Sequence, residues 1–522
     1  MSFTELVFFP FLLVTGLLYF LVPISWRWTV LLAASAVFYL SWGPQLFPFI
    51  LGMALIAWLG ALAMERRYRA AEASLEGETD RALRRSRQAA AKQKTRRVLM
   101  PCAAVLTVLL VGIKVARLLE SKVMLTGPDG QPFSVLVPLG LSYYTLSLVG
   151  YLADVYWRKE KAEPNFFKFF LFVLYFPKIL QGPISRHKDL GPQLSAGHPF
   201  DYHRLCSGVQ LMLWGYFKKL VIADRLAVVV DTVFGSSDTQ PGSVLLVAGI
   251  LASFQLYCDF SGCMDMAQGF SEIVGIRLEK NFDHPFFSAS AAEFWRRWHI
   301  TLGSWFRDYI YMPLAISPRV MKLSAAVRKR FGKRAGKAVV TVIPSAVVWV
   351  LTGLWHGTGW NYLVWGLYWG ALIILTNVLE PEIRRLNQAL HIRTDAPSFH
   401  CFRQVRTFLI FTFGRLLTVP GTLAATGLVL QRIVTAFQPW ALVDGTLYAL
   451  GLDRPDFLLA MLSLVLLWGV SMMQRHGSVR EKIAGCNVAI RWTIYYAAFF
   501  AVLIFGFYGA GYNASAFVYM NY

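Results

Sequence analysis

The chain has 522 residues, 56% of them hydrophobic and 15% aromatic, with a mean hydropathy of +0.48 and a formal net charge of +21. So much apolar surface excludes a soluble globular domain, and apolar runs of about 18–25 residues recur, the length a helix needs to cross a bilayer. The basic excess lies in blocks between those runs, where it reads as loops retained on the cytoplasmic side rather than as a nucleic-acid surface.

In chain order, residues 4–24, 28–42 and 45–63 are expected to form three apolar helices, with joints at Pro23 and Pro44. The opening Met-Ser-Phe-Thr-Glu has no basic region and its apolar run is too long for a cleaved signal, so it is expected to stay as the first span. Residues 64–97 are helix-forming and rich in Arg and Lys, a solvated topogenic loop in preference to a lipid-headgroup or partner surface. Residues 98–118 form the next span, 120–134 a turn-rich external loop with Gly127, Pro128, Gly130 and Pro132, and 135–157 a further span ending in a basic Arg158-Lys159-Glu160-Lys161.

Residues 166–180 are apolar but short, and 181–204 are rich in Gly, Pro and His. That combination predicts a re-entrant or cavity-lining element, because irregular backbone inside a membrane must be shielded from lipid. Lys218, Lys219, Asp224 and Arg225 interrupt 205–234, which predicts a broken or interfacial helix. Segments near 243–259 and 260–276 follow, then the stretch 285–315. A second basic block at 317–337 carries no acidic residue and is placed in the cytoplasm by the same rule. Spans near 338–354, 361–379, 404–420, 421–437, 457–473 and 490–508 complete an expected all-α, polytopic integral membrane protein. It would have about eleven transmembrane helices plus re-entrant segments around a central tunnel, in a single membrane domain over residues 1–522. Six cysteines, at 102, 206, 258, 263, 401 and 486, form no CxxC pair and read as small buried hydrophobes.

Two stretches concentrate chemistry. In the run from Phe294 to Pro313, read as a helix, Trp295, Trp298, Leu302, Trp305 and Tyr309 share one face and Arg297, Thr301, Ser304 and Asp308 another, with His299 beside them. Polar groups in apolar surroundings are costly unless they pair or line a watery cavity, so that face predicts a pocket. Downstream, Trp355-His356-Gly357 lies in an apolar run broken at Gly353, Gly357 and Gly359, where an imidazole can orient an alcohol and take its proton. By spacing alone each histidine is at least as well explained as a hydrogen-bonded structural residue. Neither HxxH nor HExxH spacing occurs with them, so no metal is expected. Asp259, Ser261 and Asp265 in YCDFSGCMDM are too local for a glycosidase pair and are expected to anchor tunnel helices by pairing with Arg297 or Arg307. Arg186, His187 and Lys188, near Gln181-Gly182-Pro183, could meet donor phosphates, a reading weighed evenly against topogenic charge, and Gln181 and Arg186 are the candidate donor contacts. No phosphate loop, GxSxG elbow or soluble-hydrolase triad order is present in the sequence.

These motifs resemble the membrane-bound O-acyltransferase family, and most closely its bacterial branch that acetylates alginate and other surface polysaccharides. The residues that carry the resemblance are Pro138 to Thr145, Gln181-Gly182-Pro183-Ile184, Tyr257 to Gly262, Asn281-Phe282, Glu293 to Pro313 and Trp355-His356-Gly357, a motif-bearing core of about 138–366. The aromatic segment 506–522 fits the same branch. The sequence departs at Cys263-Met264, where the family commonly has serine or tyrosine, and at the closing Met-Asn-Tyr, where Phe-Gln-Phe is usual. The resemblance implies catalytic roles for His356 and His299. Asp259, Ser261, Trp295, Arg297, Trp298, Ser304, Trp305, Arg307, Asp308, Trp355 and Asn361 would line or support the tunnel. It implies transfer of an acyl group, acetyl foremost, from acetyl-CoA or another cytoplasmic acyl thioester, with no bound cofactor, in the inner membrane. The acceptor would be a surface polysaccharide reached through an extracytoplasmic SGNH-hydrolase-like partner. The alternatives are D-alanyl transfer to teichoic acid from a carrier protein and, in another class, a polysaccharide or lipid transporter that does no chemistry.

Overall fold

The computed structural model describes residues 1–76, 79–122 and 135–508. Most of the expected external loop 120–134 and of the aromatic segment 506–522 lies outside the described residues. Among those described, regular structure is helical, apart from an isolated antiparallel bridge between Phe282 and Trp298. Six helices are long and apolar enough to cross a membrane: Pro44–Ala73, Arg81–Glu120, Gly242–Ile273, Pro318–His356, Arg454–Gln474 and Val488–Phe505. A seventh span arises if the pair Trp360–Val378 and Glu380–Ala389, bent by 63°, is taken as one. Phe8–Leu21, Ile24–Leu40 and Leu423–Thr435 are apolar but shorter. The protein is a multi-pass membrane protein. Among the described residues six or seven helices meet this length and apolarity, against an expected eleven or so, and three further apolar runs form shorter helices. The two expected segments 243–259 and 260–276 are one continuous helix, Gly242–Ile273.

The chain divides into two compact units. The first holds residues 1–209 with 267–279. In it Phe47–Ala73, Arg81–Lys122 and Leu141–Tyr156 pack on one another. The basic block lies at the end of the first, in the connection and at the start of the second: Arg67 donates to the Lys94 carbonyl at 2.6 Å and Arg87 to that of Ser74 at 2.6 Å. The short helix Phe166–Leu174 is capped by Asn165, whose side chain accepts from the amides of Phe167 and Lys168. It ends at Tyr175, and the irregular backbone at 180–185 that follows is buried. Of the expected irregular stretch 181–204, residues 187–196 form a helix, His187–Ala196, and the buried irregular backbone is confined to the residues before it. Gly140, at φ +69°, closes on this segment; a Cβ there would stand 2.1 Å from the Ile179 carbonyl oxygen.

The second unit holds Gln210–Met266 and, among the described residues, those from Lys280 to Tyr508. The interrupted stretch 205–234 is one helical run with a π-helical segment, Phe217–Ala223, between Tyr202–Tyr216 and Asp224–Gly235. A π-turn inserts a residue and shifts which side chains face inward. The last described helix is tied to it: Phe507 donates its amide to the Leu220 carbonyl at 3.0 Å, and Arg225 donates to that of Phe505 at 3.0 Å. Pro318–His356 kinks at Gly332, φ +86°, so that the basic segment before the kink folds back, with the Ser324 hydroxyl on the Gly336 carbonyl at 2.7 Å. The chain then returns as Trp360–Val378, which packs closely along Pro318–His356.

Candidate active site

The run from Phe294 to Pro313 is not a single helix. It is two short helices, Ala291–Arg297 and Ile300–Phe306, followed by a π-helical segment, Arg307–Tyr311. The break falls at Trp298-His299, and residues 281–283 cause it by pairing along the chain there. Asp283 donates its amide to the Arg297 carbonyl at 2.9 Å and Ile300 donates to that of Asn281 at 3.1 Å. The Asn281 carboxamide oxygen then accepts from Thr301 twice, from the amide at 3.0 Å and the hydroxyl at 2.6 Å. It thereby satisfies a helix start from outside the helix. His299, in the left-handed region at φ +47°, is the residue that turns the corner. Its Nδ1 lies 3.4 Å from the Asn281 oxygen, and the Asn281 nitrogen reaches the Met264 sulfur at 3.2 Å.

His356 is the last residue of its helix, and glycines set its surroundings. At Gly353 a Cβ would meet the Tyr362 carbonyl oxygen at 2.6 Å and the Gly366 Cα at 3.4 Å, so the two helices of this hairpin touch backbone to backbone. That contact brings Trp365 against His356, ring centroids 4.9 Å apart. Trp355 packs on His356 at 4.9 Å and on His299 at 5.9 Å, so one indole touches both imidazoles. Phe260 meets His299 edge-on at 4.8 Å. His299 is 2% and His356 6% exposed. Trp295, Trp349, Trp365 and Trp369 form a wall with centroids 5.1–6.4 Å apart. Trp298 fills the core behind it, against Phe282, Phe294 and Phe411.

The expected partners of Asp259 are different residues. Asp259 pairs with Lys219 at 2.6 Å, and Lys219 also reaches Asp224 at 2.8 Å. Lys218 bonds the Ser261 hydroxyl at 2.9 Å and Asp265 at 2.8 Å. Both lysines sit on the π-helical segment, nearly fully buried, and both reach the helix Gly242–Ile273. Arg297 instead pairs within its own helix with Glu293 at 2.9 Å, and Arg307 with its neighbour Asp308 at 2.7 Å. These arginines stand where helices of seven residues and fewer place them, beside their own carboxylates, while a lysine from another helix takes Asp259. Sequence reasoning missed Lys218, Lys219 and Asn281 as site-building residues. The signal was two adjacent ionisable residues in an apolar stretch, which demand paired carboxylates somewhere in the fold.

Of the candidates, the structure gathers His299, His356, Trp295, Trp298, Trp355 and Asn361 with Asp259 and Ser261 in the second unit. Ser304 donates to the Thr301 carbonyl at 2.9 Å, and Trp305 packs on Phe306 and Tyr309, one to two turns beyond His299. Gln181 and Arg186 belong to the first unit. Gln181 is fully buried, and neither atom of its carboxamide has a hydrogen-bond partner among the described residues. The six cysteines carry no disulfide, and among the described residues no three His, Cys, Asp or Glu side chains form a group suited to a metal ion.

Residues 155–327 match the model of the membrane-bound O-acyltransferase family, a range that includes Asp259 and His299 and ends before His356. A probable alginate O-acetylase of Pseudomonas syringae pv. tomato is 36% identical over 282 residues, 54% of this chain and 48% of that protein. A peptidoglycan O-acetyltransferase of Helicobacter pylori is 29% identical over 279 residues, covering 48% and 50%. A teichoic acid D-alanyltransferase of Bacillus subtilis is 28% identical over 257 residues, covering 48% and 62%. The chain thus spans about half the length of the first two relatives.

Proposed function

We propose, from the match of residues 155–327 to the membrane-bound O-acyltransferase model, that this chain transfers an acetyl group from a cytoplasmic thioester, acetyl-CoA foremost, toward a cell-surface polysaccharide. The catalytic domain so proposed extends over residues 1–522, in the inner membrane. The observation that carries the reading is the pair of buried imidazoles, His299 and His356, packed on one indole inside an aromatic shell. A transporter has no need of two histidines held so closely; an acyl transfer has a use for each. His356 takes the proton of the acceptor hydroxyl as its oxygen attacks the thioester carbonyl. The new C–O bond forms, the C–S bond breaks, and the proton passes from the imidazolium to the departing thiolate. His299, held by Asn281 at a strained corner, orients the acceptor. Gln181 and Arg186 are proposed donor contacts. An extracytoplasmic SGNH-hydrolase-like protein receives the acetyl group and delivers it to the polymer. The named relatives support acetyl ahead of D-alanyl transfer, since the O-acetylase is the more similar.

The test is thiol release by purified protein supplied with a saccharide hydroxyl acceptor and acetyl-CoA, compared with a D-alanyl carrier protein as donor. General-base assistance typically contributes about 10²–10⁴-fold, so His356→Ala should lose turnover by that order while its unfolding temperature holds. His299→Ala should lose less. Near-normal turnover in folded His356→Ala rules the assignment out.

A further inference from the structure

Asn361 sits one turn before Trp365 on the helix Trp360–Val378, and Trp365 is the ring packed on His356. Residues four apart share a helix face, so its side chain lies on the face turned to the histidine. It is 2% exposed, and no acceptor among the described residues meets its Nδ2. A buried donor left unsatisfied is costly and is rare in folded proteins. The loop is shaped around this carboxamide. At Gly359 a Cβ would stand 2.3 Å from the Asn361 Oδ1, although Gly359 has an ordinary φ of −72°. The glycine is there for room, not for backbone freedom, and the room belongs to Asn361.

We propose that the Asn361 Nδ2–H is the oxyanion donor of the acyl transfer. This rests on the acyltransferase reading above and adds a catalytic residue to it. As the acceptor oxygen bonds to the thioester carbon, the carbonyl π pair moves onto oxygen, and that oxygen accepts the hydrogen bond from Nδ2. When the pair returns, the C–S bond breaks and the thiolate leaves with the proton held by His356. An asparagine suits the task because it donates without carrying a charge, so it takes no proton from the base beside it. An orphaned donor on the helix face that carries Trp365, in place before substrate arrives, needs no reorganisation in the transition state.

Wild type, Asn361→Ala and Asn361→Asp are compared in nanodiscs with acetyl-CoA and a saccharide hydroxyl acceptor, by thiol release, and with acetyl-CoA alone by the infrared carbonyl stretch of the bound thioester. Removing one such donor typically costs about 10²–10³ in kcat. That loss is expected in Asn361→Ala with KM unchanged and the carbonyl stretch moved to higher frequency. Asn361→Asp, which keeps the shape and loses the donor, is expected to be at least as slow. Wild-type-like kcat in folded Asn361→Ala, a loss confined to KM, or unfolding of both variants each overturns the proposal. Absence of thiol release from wild type overturns the acyltransferase reading as well, whereas turnover in wild type and Asn361→Ala alike overturns only the donor.

Discussion

Lys219 reaches two buried carboxylates at once, and its removal takes a cation from both. Asp259 is 2% and Asp224 12% exposed on the side chain. Breaking a buried pair by deleting one partner costs about 3–5 kcal/mol, because the other charge is left in low dielectric. Lys219→Ala should therefore lower the unfolding temperature of the purified protein sharply. Arg307→Ala is the control: Arg307 is 62% exposed beside Asp308, and an exposed pair contributes about 1 kcal/mol or less. Equal melting shifts in the two variants would refute the ranking. The sequence made Asp259 legible as a residue in need of a cation. It did not name the cation, since Arg297, Arg307, Lys218 and Lys219 all satisfy the charge requirement and only the π-turn decides which side chains point inward.

At the scale of elements, the hairpin of Pro318–His356 with Trp360–Val378 depends on small residues where the helices touch. Gly353→Leu would force side-chain atoms into the Tyr362 carbonyl and the Gly366 Cα, splaying the hairpin and moving Trp365 off His356. Activity should fall to background and the unfolding temperature should drop. Gly427→Ala, in the helix Leu423–Thr435 with nothing within 4 Å of the new Cβ, should be neutral or stabilising, because alanine is worth about 0.8–1 kcal/mol over glycine in a helix. Thermal unfolding of both variants checks the contrast. Helical periodicity alone could not reveal the break at His299. The residues from Phe294 to Pro313 hold a helical pattern, and the interruption is imposed by Asn281, 18 positions earlier, which competes for the amides of the corner. The irregular backbone at 180–185 was legible because Gly, Pro and polar residues are themselves the breakers.

For the whole molecule, the charge rule makes an orientation testable. Blocks 64–97 and 317–337 are short and strongly basic, and both are predicted to face the cytoplasm. A cysteine introduced at Arg85 or at Lys329, in a background with Cys102, Cys206, Cys401 and Cys486 replaced by serine and only the buried Cys258 and Cys263 retained, should react with a membrane-impermeant maleimide only after permeabilisation. Labelling of either site in intact cells would invert the topology. The all-helical membrane class was readable from hydropathy, because length and apolarity are local properties of the chain. The number of full spans was not, since Phe8–Leu21 and Leu423–Thr435 are apolar yet fall short of spanning length.

The four indoles of Trp295, Trp349, Trp365 and Trp369 lie close enough, at 5.1–6.4 Å, for their excited states to mix. The site therefore carries its own optical reporter. Coupled indoles give a near-ultraviolet circular dichroism couplet whose sign and size follow ring orientation, and an imidazolium beside Trp355 or Trp365 quenches their emission. Occupancy of the proposed site at His356, and the proton its ring is proposed to gain, are thus open to observation in the unlabelled protein.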